Sequence, residues 1–197
     1  MKKLVVLLLP ALLLAQTTET CEVLTLEGNV EFREPHENAW QPASQGLLLE
    51  DKTTLRSSAG SARIKDYSGK EFILPASAQI IVNELRPLSR NDIIRELTAM
   101  ELQKLPAERN SSSQNGFVLH GSDPALQNQD ALDAYFELEE NGAYSLYTQG
   151  YMAGFILKWH RLKTLMPEVT SERIEIALAE AYQQMQMPIH EKALRDQ

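Results

Sequence analysis

The chain has 197 residues, with 27 acidic against 19 basic side chains, a formal net charge of −8 and a single cysteine. That balance opposes binding to nucleic acid or to an anionic membrane surface, both of which call for basic patches. One thiol excludes an internal disulfide framework, so apolar cores must hold the fold.

Lys2 and Lys3 open the chain, and Leu4 to Ala15 is apolar throughout. Leu13 and Ala15 then stand three and one positions before a cleavage point ahead of Gln16. Positive start, apolar core and small residue in this order predict a secretory signal peptide over residues 1–15. The run is shorter than the roughly 20 residues a membrane span needs, and Pro10 disfavours an anchoring helix. The expectation is an exported protein, periplasmic or secreted, with no transmembrane span in the mature chain. Losing Lys2 and Lys3 takes the net charge from −8 to −10. Cys21 is preceded by Glu19 and Thr20, which do not suit lipid attachment, and it reads as an inert residue near the first strand.

Residues 22–85 carry short alternating runs. Val30 and Phe32 alternate with Glu31 and Arg33, Ala62 and Ile64 with Arg63 and Lys65, and Phe72 and Leu74 with Glu71 and Ile73. Ile80 and Val82 alternate with Ile81 and Asn83. A period of two turns one set inward and the other outward. The less clean alternations, at Ile73 and Ile81, suit strands buried on both faces. Glu27-Gly28-Asn29 reads as a tight hairpin, and Asp66 to Gly69 as a four-residue hairpin loop. Short strands at this spacing predict an antiparallel β sandwich or roll.

The same residues carry a family resemblance. Gly28-Asn29-Val30-Glu31-Phe32 is followed by Trp40, Pro42, Gly46, Leu49-Glu50-Asp51 and Leu55-Arg56-Ser57. Ser61-Ala62-Arg63-Ile64, Asp66, Gly69, Phe72-Ile73-Leu74-Pro75 and Ile80-Ile81-Val82 continue the series. In order and spacing residues 22–84 resemble the FecR-type extracytoplasmic β domain of bacterial envelope proteins. The chain departs from that pattern at Glu50-Asp51, where the family has a Gly-Asp pair, and at the longer Asp66 to Gly69 loop. The best-known members resemble signal transducers that regulate a sigma factor through a cytoplasmic segment and a transmembrane helix ahead of the β domain. Neither stands in the sequence as written, so the resemblance implies an exported member outside that route.

Helical spacing takes over after residue 89. Ser89 and Asp92 resemble a capping box, and Ile93, Leu97, Met100 and Leu105 share one face before Pro106. This predicts a connecting amphipathic helix over 89–106. Residues 107–129 read as a flexible linker, since 110–116 contain no apolar side chain. Residues 130–197 read as a helical domain, a bundle or degenerate helical hairpins. In it Asp130 caps a first helix, Asn141-Gly142 stops it, Tyr144 to Leu165 forms a second run, and Ile174, Ala177, Leu178, Ala181 and Tyr182 make a third face. A short terminal helix holds Ala193 and Leu194. Tyr147, Gly150, Trp159 and Pro167 weakly resemble a tetratricopeptide unit, but no 34-residue period repeats. The expected class is therefore α+β, an N-terminal antiparallel sheet followed by C-terminal helices.

Motifs for chemistry are missing from the sequence. His36, His120, His160 and His190 do not stand at metal-ligand spacing from one another or from Cys21. The chain has no nucleophile elbow, phosphate loop or zinc-protease pair, and Asp123, Asp130 and Asp133 do not follow a calcium-loop spacing. A dispersed acid pair such as Asp51 and Asp66 would have to meet in space for acid–base work, and among the many carboxylates of this acidic chain the sequence singles out no pair. No catalytic residue, metal site or cofactor is expected. The leading expectation is a non-enzymatic envelope protein that binds another envelope protein or assembly. The alternative is recognition of cell-wall glycan or peptide by the β domain. Trp40, Tyr67, Tyr147, Tyr151 and Trp159 are the candidate binding residues.

Overall fold

The computed structural model describes residues 20–104 and 129–187. The signal segment 1–15, the 110–116 stretch with nearly all of the 107–129 linker, and the terminal helix with Ala193 and Leu194 lie outside the described residues.

Among the described residues six strands form one antiparallel sheet and four α-helices follow it, an α+β layout. The strands are β1 (Cys21–Arg33), β2 (Gln41–Pro42), β3 (Leu48–Leu49), β4 (Thr54–Lys65), β5 (Glu71–Leu74) and β6 (Ala78–Ile81). A 3-10 turn (Val82–Leu85) leads to α1 (Arg90–Lys104), α2 (Gln129–Thr148), α3 (Met152–Leu165) and α4 (Glu172–Gln184). The long strands β1 and β4 are the spine. β1 pairs β3 at its start and β2 near its end, while β4 pairs β6 at its start and β5 at its end.

Glu27-Gly28-Asn29 is not the expected hairpin, because β1 runs through it. Gly28 has φ +71° and faces Gly60 on β4. A Cβ on Gly28 would lie 2.2 Å from the Ala59 carbonyl oxygen, and one on Gly60 would lie 2.0 Å from that of Glu27. The glycines let two backbones close on each other beside a register slip at Asn29/Val30, where a bulge bends the pair. A positive-φ glycine serves a bulge as readily as a turn. The Asp66 to Gly69 loop does form the expected hairpin. Its Asp66 carboxylate accepts the N–H groups of Ser68 and Lys70, each at 2.8 Å.

Alternation sets the inner face. Val30, Leu55, Ala62, Ile64, Phe72 and Leu74 are buried, and Arg63, Lys65 and Glu71 point out. β6 is buried at Ala78, Gln79 and Ile80, on both faces as expected. β5 is not, since Ile73 is 46% exposed. It is the last strand of the sheet on its side.

The helices pack down on the sheet, and strand and helix side chains share one apolar core. Ser89 and Asp92 form the expected reciprocal cap of α1, with Ser89 N–H donating to Asp92 Oδ2 at 3.0 Å and Asp92 N–H to Ser89 Oγ at 3.3 Å. Asn141-Gly142 does not stop α2. The helix continues to Thr148 because Gly142 is where it presses on β6, and a Cβ there would lie 1.8 Å from the Gln79 carbonyl oxygen. The stop comes at Gly150, φ +84°. There Tyr151 N–H bonds Leu146 O at 2.8 Å and Gly150 N–H bonds Tyr147 O at 3.0 Å, the paired closure of a Schellman cap. The apolar run from Tyr144 to Leu165 is thus divided between α2 and α3. On α4 the whole expected face, Ile174, Ala177, Leu178, Ala181 and Tyr182, is buried.

Candidate functional site

Where α2 and α3 cross β6 and the 3-10 turn lies a seam of charged side chains, with Lys158, Glu139 and Glu84 buried and Arg161 at its half-exposed rim. Lys158 on α3 is 0% exposed; its Nζ donates to Glu139 Oε2 on α2 and lies 3.5 Å from Glu84 Oε2 on the turn. Arg161, further along α3, bonds Glu84 Oε1. The carboxylates have further donors: Gln79 Nε2 to Glu139 Oε1 at 2.7 Å, and Ile81 N–H to Glu84 Oε2 at 3.0 Å. Burial by itself raises the Glu139 pKa, but the Lys158 and Arg161 charges outweigh it and hold the carboxyl below its usual range. Burial and the Glu139 carboxylate push the nearby Tyr135 hydroxyl up. Two cations balance two anions, and each is committed to a partner. A buried, paired lysine is neither a nucleophile nor a base that substrate can reach, so the seam locks helices to sheet.

A second polar group joins the sheet to the α2–α3 turn. Tyr67 donates its hydroxyl to Asp51 at 2.6 Å, and Arg86 Nη2 reaches both Asp51 oxygens at 2.9 and 2.7 Å. Tyr151 is buried on Phe72 and donates to Asp66 Oδ2 at 2.9 Å. Burial opposes ionisation of Asp66, but its bonds from Ser68, Tyr151 and Lys70 win and lower its pKa. Cys21 is buried in the same region, and that burial pushes its thiol up to about 12. Folding thus brings Asp51 and Asp66 to one neighbourhood, each already bound by its own donors.

The expected binding residues are spread over the molecule. Trp40 is half-buried on the sheet, with the guanidinium carbons of Arg56 and Arg33 at 3.9 and 4.6 Å from its ring. Those cations compete with a sugar for the indole. Tyr67 is half-buried and tied to Asp51, while Tyr147 contacts Phe155 and bonds Glu180. Tyr151 and Trp159 are core residues.

Among the described residues a groove lies between α1 and α3. It measures about 280 Å³ and is lined by Ile94, Leu97 and Met100, with Thr98, Glu101, His160 and Thr164 as its polar members. The His160 ring is oriented by Tyr182 of α4, whose hydroxyl meets its Nε2. Ile94 is 38% exposed, and Leu165, at the end of α3, is 40% exposed. The seam is not predicted by the sequence patterns, although one signal is present: Lys158 occupies the same helical face as Phe155 and Leu162. The groove is not predicted either, because Ile94 lies beside the Ile93–Leu97 face and belongs to neither side of the amphipathic pattern. Among the described residues no group of three or more His, Cys, Asp or Glu is gathered for a metal ion, and no helix is long and apolar enough to cross a membrane. Comparison with known proteins finds no matching family model, curated protein or solved structure.

Proposed function

We propose that this is an exported, non-enzymatic envelope protein that works as a protein-interaction module, with the α1–α3 groove as its docking surface. The observation that carries this is the groove itself, an apolar trough of Ile94, Leu97 and Met100 that is open among the described residues. The partner it fits is an amphipathic helix of another envelope protein, with apolar anchors laid into the trough. A basic flank on that helix would complement a chain of formal charge −8. The signal peptide and the resemblance to exported FecR-type domains support the location.

The test is an affinity capture from detergent-solubilised envelope, run in parallel with the wild-type chain, Ile94→Asp and Trp40→Ala. One protein held by wild type and Trp40→Ala, and at least ten-fold depleted with Ile94→Asp, supports the groove. Equal capture by Ile94→Asp removes it as the docking surface. Loss with Trp40→Ala alone, or recovery of glycan in place of protein, transfers the function to the β face.

A further inference from the structure

The outer edge of β5 is occupied in an unusual way. Ile73 pairs across from Arg63 of β4, yet its own N–H and C=O point away from the sheet. Both are met by one side chain. Ile73 N–H donates to Gln149 Oε1 at 2.7 Å, and Gln149 Nε2 donates back to Ile73 O at 2.8 Å. A primary amide that accepts from an N–H and donates to the C=O of the same residue reproduces the pair of hydrogen bonds that a neighbouring strand would make. The amide is held in place from its own side. Nε2 also reaches Ser145 O at 3.2 Å, and Lys70 Nζ, from the hairpin before β5, donates to Gln149 O at 2.6 Å. Gln149 is the last residue before the Gly150 turn, so the end of α2 delivers a side chain where a further strand would lie.

We propose that the β5 edge is a strand-accepting surface held shut in cis by the Gln149 amide, and that its occupant once the amide is withdrawn is the β5 edge of a second copy of this chain. Antiparallel pairing about a two-fold axis at Ile73 is self-complementary, because each Ile73 offers one donor and one acceptor to the other. The exposed Ile73 side chains then meet across the joint, and exposed apolar edges are what natural sheets protect against pairing. β5 is only four residues long and Pro75 follows it, so the open edge admits one such pair and does not propagate.

The experiment is sedimentation of the complete chain, expressed with residues 1–15 in place, over a range of concentrations. Wild type, Gln149→Ala, Gln149→Glu and the double variant Gln149→Ala with Ile73→Pro are compared. Proline at 73 removes both the outward N–H and the exposed isoleucine side chain, at an edge position where strands tolerate it. Wild type is expected to stay at the mass of one chain. Gln149→Ala is expected to rise toward twice that mass with concentration, and the double variant to return to one. Gln149→Glu keeps the acceptor but sets an oxygen against the Ile73 carbonyl, and is expected to rise in the same direction; it becomes the deciding variant if Gln149→Ala lacks the wild-type circular dichroism. A folded Gln149 variant that stays at one chain, or a double variant that still dimerises, overturns the proposal.

Discussion

Lys158 shows how much one side chain can govern. The Lys158 Nζ has no solvent contact and lies between the carboxylates of Glu139 and Glu84. Lys158→Met keeps most of the volume but leaves Glu139 buried without its nearest cation, and breaking such a pair costs about 3–5 kcal/mol. A urea titration at neutral pH is expected to show that loss. Adding Glu139→Leu to Lys158→Met is expected to recover part of it, since two apolar groups can replace a buried pair. The same experiment has a pH signature. The Glu139 and Asp66 carboxyls are held below their ordinary range, so they bind fewer protons folded than unfolded. Their contribution is complete above the ordinary carboxylate range and disappears as pH falls through it toward their folded values. The variant lacking Lys158 and Glu139 is expected to lose less stability on acidification than wild type.

At the scale of elements, glycine is the residue whose meaning shifts most between sequence and structure. Gly28 and Gly142 both read as punctuation, one for a hairpin and one for a helix end. Both are close-approach positions inside continuous elements, Gly28 against β4 and Gly142 against β6. A turn and a contact between backbones call for the same missing Cβ, and only the partner's position tells them apart. Gly142→Ala is therefore expected to destabilise by about 1–3 kcal/mol, the usual penalty of overpacking, as α2 lifts from Gln79; thermal unfolding measures it. Local features are legible in the sequence: the Ser89–Asp92 cap, the Asp66 hairpin and the buried face of α4 each depend on residues a few positions apart. The charged seam and the α1–α3 groove are not, because both arise where elements distant in sequence meet. Ile73 falls between these cases: its run is expected to be buried on both faces, and only the order of strands in the sheet makes it an exposed edge.

For the molecule as a whole, the shared core predicts that sheet and helices unfold together. Trp40 reports on the sheet and Trp159 on α3, and the chain has no other tryptophan. Fluorescence of Trp40→Phe and of Trp159→Phe in urea is expected to give coincident midpoints; two separated midpoints would divide the molecule into independently stable halves. The Cys21 thiol extends this to rates. Burial pushes its pKa up to about 12, so little reactive thiolate forms at neutral pH, and the sulfur is buried besides. It is also the chain's one thiol. Alkylation at that position therefore proceeds only through openings of the start of β1, which gives the protein an internal clock for how often its first strand leaves the sheet.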